Sequence, residues 1–134
     1  MTEELVQWLG EQLDEDERTA RRAGDSFRQI GETGVIVAAE GDRAEECASA
    51  NWAGVAEHIV RHDPARVLRE IDAKRQILAL HIPFRVDGDP WPGCSTCSWR
   101  NDMEDLQVQY PCATLRLLAL PYADRPGYRE EWRP

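Results

Sequence analysis

Gly93-Cys94-Ser95-Thr96-Cys97-Ser98, followed by Tyr110-Pro111-Cys112, is the stretch that governs how this 134-residue chain folds. Two thiols separated by two residues can turn back onto one tetrahedral ion, and a third Cys at the start of the next helix adds a further ligand. The segment from Ile82 to Gln109 is crowded with Pro83, Gly88, Pro90, Pro92 and Gly93 around Trp91 and Trp99. A loop of that length inside a small domain needs an internal organiser, and clustered cysteines supply one. The expected cofactor is therefore zinc in a structural role.

Three thiols leave one tetrahedral position, for which the candidates are His81, Cys47, His58, His62 or water. His81 is preferred because it closes the third helix just before the Cys-bearing loop, giving His-x12-Cys-x2-Cys-x14-Cys. The expected metal ligands are Cys94, Cys97, Cys112 and His81, with the dipole of the last helix favouring thiolate at Cys112. Four protein ligands make a structural site, whereas three and a water make a potentially catalytic one. A redox pair is disfavoured, since Gly93 precedes the motif and turn-like residues follow it, unlike a strand-to-helix CxxC. Cys47, on an apolar stripe beside Trp52, reads as a small buried hydrophobe.

Length and composition fit one small soluble domain. The net charge of −9 is concentrated at the N-terminus: residues 1–46 carry thirteen acids and five bases, the remainder twelve and eleven. Such a field opposes general binding to phosphate backbones. No apolar run approaches a membrane span, and Glu3 and Glu4 stand where an export signal would be basic. The chain is expected in the cytoplasm with reduced thiols, where metal ligation is favoured over disulfides.

Helical periodicity dominates the rest. Thr2 can cap a first helix reaching about Ala23, with Leu5, Trp8, Leu9, Leu13 and Ala20 on its apolar face. Gly34-Val35-Ile36-Val37-Ala38 reads as a short strand or extended linker. Asp42 with Glu45 resembles a capping box, opening a helix with Ala44, Cys47, Trp52, Val55 and Ile59 along one side and ending near His62. Asp63-Pro64 restarts the chain as a third helix to about Leu80, with an Arg66–Glu70 surface pair. Pro111 is expected to open a fourth helix, and Tyr128 and Trp132 to form a last turn packed on the body.

The fold expected is mainly α: about four helices in a single domain, 1–134, with a zinc-stapled irregular loop and at most one short β element near 34–38. Its parts are an acidic helix over 1–23, a linker or strand over 24–41, a helical pair over 42–81, the Cys-bearing loop over 82–110, and a C-terminal helix and tail over 111–134.

Two further constellations are weaker. His58 and His62 lie one helical turn apart, but Ile59 stands where a zincin helix needs its Glu, so the pair is read as solvated side chains, with His62 offsetting the helix C-terminal charge. Arg61, Arg66, Arg69, Lys74 and Arg75 could face phosphates, yet Asp63, Glu70 and Asp72 interleave with them, as on a solvated helix. No phosphate-cradling glycine loop, Gly-x-Ser-x-Gly elbow or nucleotide fingerprint occurs, and no catalytic residue is expected.

The run from His58 to Glu70, then Ala73-Lys74-Arg75, then Tyr110-Pro111-Cys112-Ala113-Thr114-Leu115-Arg116-Leu117-Leu118-Ala119, and the ending Tyr128-Arg129-Glu130-Glu131-Trp132 resemble a family. It is DUF6221, an uncharacterised family of small actinobacterial proteins with similar proteins in their phages. The resemblance implies helices around a Cys-bearing loop, with Cys94, Cys97 and Cys112 in the family's positions, and carries no activity, substrate or partner.

The function expected is a small zinc-binding interaction or regulatory module, engaging a protein through Trp91 and Trp99 or its charged helix faces. A nucleic-acid-binding regulator using the zinc loop and third helix is the second reading, and a zinc hydrolase with water as fourth ligand the third.

Overall fold

A computed structural model describes residues 3–134. In chain order the elements are α1 (Glu4–Ala23), β1 (Ser26–Gln29), β2 (Val35–Glu40), β3 (Arg43–Ser49), α2 (Ala53–Arg61) and α3 (Pro64–Leu80). The two-residue strands β4 (Pro83–Phe84), β5 (Gly93–Cys94), β6 (Trp99–Arg100) and β7 (Asp105–Leu106) follow, then α4 (Ala113–Ala119) and two short 3-10 turns at Leu120–Tyr122 and Glu130–Trp132. The contacts divide into two units, residues 13–72 and residues 1–12 with 73–134, the divisions falling inside α1 and α3.

In the 13–72 unit, β1, β2 and β3 form an antiparallel sheet in that order, with Phe27 opposite Ala38 and Ala38 opposite Glu45. α2 packs on β1 and β2, with Ile36 and Ala56 fully buried. Gly34 closes the sheet beside Ala50, whose N–H donates to the Gly34 carbonyl at 2.8 Å. A Cβ at Gly34 would fall 2.0 Å from the Ala50 carbonyl oxygen, so only glycine fits there. Asp63 caps α3 as its sequence context predicts: Oδ1 accepts the Arg66 N–H at 2.9 Å, while Oδ2 accepts the Phe27 N–H at 3.2 Å. The expected Arg66–Glu70 pair is present at 2.8 Å.

The fold is mixed α/β, not mainly α as the periodicity suggested. Residues 43–49 form β3, not the start of a helix; α2 begins only at Ala53, and the linker over 24–41 contains two strands. Arg43-Ala44-Glu45-Glu46-Cys47-Ala48-Ser49 is rich in helix formers, but pairing with β2 overrides that weak intrinsic preference. All seven residues are exposed, so no alternation of apolar and polar residues advertised the strand. Cys47 is consequently exposed instead of buried, and Trp52 is 65% exposed instead of on a core stripe. Asp42 lies in the β2–β3 turn, and Glu45 pairs with Arg43 at 3.2 Å rather than completing a capping box.

In the unit of residues 1–12 and 73–134, Leu5, Leu9, Leu115 and Ala119 are fully buried or nearly so. Each such leucine contributes roughly 1.5–3 kcal/mol of transfer free energy. Trp8 stacks edge-on to Tyr128 at 5.7 Å and tilted against Trp132 at 5.5 Å, and its Nε1 donates to the Pro126 carbonyl at 3.0 Å. The expected return of Tyr128 and Trp132 onto the body is thus realised on the first helix. Lys74 Nζ donates to the Tyr122 hydroxyl at 2.9 Å, fixing the turn after α4. The predicted Thr2 cap lies outside the described residues. No helix among the described residues is long and apolar enough to cross a membrane.

Candidate metal centre

The last turn of α3 delivers His81, whose N–H bonds the Ile77 and Leu78 carbonyls at 3.2 and 3.3 Å. The chain then enters β4, which pairs antiparallel with β5 so that Pro83 faces Cys94 and Phe84 faces Gly93. Gly93 is required by crowding: a Cβ would fall 2.8 Å from the Phe84 ring and 3.0 Å from Gln107 Cγ. Cys94 donates its N–H to the Val108 carbonyl at 2.7 Å, and Ser98 N–H closes a turn onto the Cys94 carbonyl at 3.0 Å. That turn swings Cys97 back beside Cys94.

The return strand brings in the third thiol. Gln109 bridges to Gly93, and Tyr110 N–H bonds the Pro92 carbonyl at 2.9 Å. The Tyr110–Pro111 peptide is cis. α4 starts at Ala113, two residues later than a helix opened by Pro111, leaving Cys112 at its N-cap.

His81, Cys94, Cys97 and Cys112 thereby converge, their ligand atoms all within 4.8 Å of one another. His81 Nδ1 lies 3.4 Å from Cys94 Sγ and 3.5 Å from each of Cys97 Sγ and Cys112 Sγ. Cys94, Cys112 and His81 are buried and Cys97 is half-buried. The chemistry of this donor set, three thiols and an imidazole around one point, is that of a site able to hold a metal ion. The alternatives weighed for the fourth position lie outside it: Cys47 is on β3, and His58 and His62 are on and at the end of α2.

The thiols differ in acidity. Burial pushes Cys97 up to about 11, reinforced by the neighbouring Cys112 and Cys94 thiols. Burial also pushes Cys112 upward, but the Leu115 N–H, the Cys94 and Cys97 thiols and the Thr114 N–H outweigh it and lower the thiol below its ordinary value. The last helix therefore favours the Cys112 thiolate, as its N-terminal position suggests. Burial raises the adjacent Tyr110 phenol to about 12, followed by the charges of Glu3, Cys94 and Cys112.

Three supporting residues escaped the sequence reading. Ser95 Oγ donates to the Leu80 carbonyl at 3.3 Å and accepts the Ile82 N–H at 3.2 Å, and Thr96 Oγ1 donates to the same Leu80 carbonyl. Ser98 Oγ accepts the Val108 N–H at 2.8 Å. The spacer of the CxxC thus satisfies the carbonyl end of the helix that carries His81. The one available signal was that both spacer residues are hydroxylated.

Beyond Ser98, β6 and β7 form a hairpin whose turn is held by Asn101 Oδ1, accepting the Met103 and Glu104 N–H groups at 2.8 and 2.7 Å. Among curated proteins and among solved structures, none matches the chain. One family model matches residues 2–134, and with the whole Cys-bearing segment inside that match the chain belongs to the family of unknown function DUF6221.

Proposed function

We propose that the protein is a small zinc-binding module whose metal is structural and whose role is to engage or regulate a protein partner. The observation that carries this is the set of three nitrogen-to-sulphur distances, 3.4, 3.5 and 3.5 Å. A tetrahedral zinc with Zn–S of about 2.3 Å and Zn–N of about 2.0–2.1 Å sets those edges at roughly 3.5–3.6 Å. The three edges from His81 match those such an ion needs, and the burial of His81, Cys94 and Cys112 supports a closed site.

This weighs against the hydrolase reading, because a ligating His81 would take the position that water would need. The nucleic-acid reading is opposed by local charge as well as the net −9, since residues 82–111 carry five acids and two arginines. A protein partner is supported by what the stapled loop leaves uncovered: Trp91, Trp99 and Leu106 are exposed, and Met103 at the hairpin tip is 92% exposed. Phe84, Val86, Trp99 and Leu106 line a groove of about 330 Å³ beside the metal ligands. Reduced thiols call for a cytoplasmic setting.

Elemental analysis of the purified chain is expected to give one zinc per molecule, and cobalt substitution a tetrahedral spectrum with thiolate charge transfer. His81→Ala should weaken metal binding by more than roughly a hundredfold, since loss of an outer-shell partner alone costs up to about that much. Unchanged affinity in that variant would make water the fourth ligand, and a metal-free, fully folded native protein would sink the proposal.

A further inference from the structure

A second pair of metal-ligating side chains lies outside the Cys-bearing segment and plays no part in the reading above. His58 sits in α2 and His62 at its C-cap, where φ is −111° and ψ 38°. One helical turn separates them, so both rings stand on the same face. The rings lie 4.4 Å apart, tilted by 37°, and both residues are exposed.

The His62 ring is already oriented. Its Nδ1 faces the His58 carbonyl oxygen at 2.8 Å, a contact in which the ring nitrogen must donate. In the neutral ring this leaves the lone pair on Nε2. Metal-bound histidines characteristically hold their other nitrogen on a carbonyl or carboxylate in this way, which fixes tautomer and ring direction. The spacing also fits. Two imidazoles sharing an ion at metal–nitrogen distances of about 2.0–2.1 Å place their ring centres roughly 4.5–5 Å apart, close to the 4.4 Å found here.

We propose that His58 and His62 form a second, bidentate site for a divalent transition-metal ion that favours imidazole nitrogen, such as Ni²⁺, Cu²⁺ or Zn²⁺. Of the acids next to the pair in sequence, Glu57 pairs with Arg61 at 2.7 Å and the Asp63 carboxylate accepts the Arg66 and Phe27 N–H groups, while Asp16 lines the same groove as His62. Both histidines are exposed, so water reaches the remaining coordination positions, making this an exchanging site weaker than the buried one. Ile59 follows His58, so no general base stands where metalloprotease helices place theirs, and the site binds without hydrolysing.

Because no ligand is shared with the Cys₃His cluster, the two proposals fail separately. The test is calorimetric titration of the full chain, its buried site first saturated with zinc, with Ni²⁺ as probe and a chromophoric indicator reporting any zinc released. One equivalent of Ni²⁺ should bind without zinc release, and His58→Gln and His62→Gln should each weaken that binding tenfold or more while circular dichroism stays unchanged. Ni²⁺ uptake only in exchange for zinc, no uptake at all, or equal uptake by both variants would overturn the proposal. Nitrogen-15 spectra of the zinc-saturated protein give a second readout, with His62 expected as the Nδ1–H tautomer; the opposite tautomer counts against it.

Discussion

At the residue scale, the acidity of the clustered thiols would tie the proposed metal binding to proton release. Cys97, pushed up to about 11, keeps its proton near neutral pH until a cation displaces it, whereas the lowered Cys112 gives up less. Acid therefore opposes binding: apparent affinity should rise about tenfold per pH unit for each proton displaced, so at least about a hundredfold between pH 6 and pH 8. Calorimetry in buffers of different ionisation heat counts the protons, and a count of zero would refute this account of Cys97. Residue types and spacing made the grouping of His81, Cys94, Cys97 and Cys112 legible, because thiols and imidazole are side chains that can share a tetrahedral site. Ser95 and Thr96 were not legible. Their hydroxyls matter only because the end of α3 and the turn after β5 meet at the Leu80 carbonyl, a contact between elements fifteen residues apart.

At the scale of elements, two glycines of opposite standing test the helix and sheet arguments. Gly34→Ala drives a Cβ into the Ala50 backbone and should cost about 2–3 kcal/mol or more, seen as a lowered urea midpoint. Gly10, inside α1 with nothing within 4 Å of its missing Cβ, should instead gain roughly 0.5–1 kcal/mol on replacement by Ala. A destabilised Gly10→Ala protein would mean that face of α1 is covered. Asp63→Ala removes the α3 cap and the acceptor for Phe27 N–H together. A loss of about 1–3 kcal/mol is expected, with Asp63→Asn losing less; a neutral alanine variant would show that the cap contributes nothing. The helices α1 and α3 could be read from sequence because strong apolar periodicity and the Asp-Pro restart are local signals. β3 could not, since its helix-forming residues take extended geometry only by pairing with β2.

At the scale of the whole molecule, the proposed structural zinc would bear on stability as a whole. Structural zinc in small peptides contributes an apparent 10–16 kcal/mol or so, comparable to or larger than the roughly 5–15 kcal/mol net stability of a typical domain. Removal by a strong chelator should therefore abolish the near-ultraviolet signals of Trp91, Trp99 and Tyr110 and strip hydrogen-exchange protection from residues 82–112. The amides of β1 to β3, none of which carries a member of the Cys₃His cluster, should retain protection. A chelated protein with intact protection over 82–112 would show that the short strands hold the loop without a metal. Sequence by itself determined the grouping of the four residues of the cluster, the extents of α1 and α3 and the irregular character of residues 82–110, all consequences of residue type and short-range spacing. Tertiary structure alone decided that residues 43–49 are a strand, that Cys47 and Trp52 face solvent, and that the CxxC spacer caps the helix carrying His81. Those outcomes depend on which backbone groups meet across the fold, and hydrogen-bond partners distant along the chain leave no periodic trace in it.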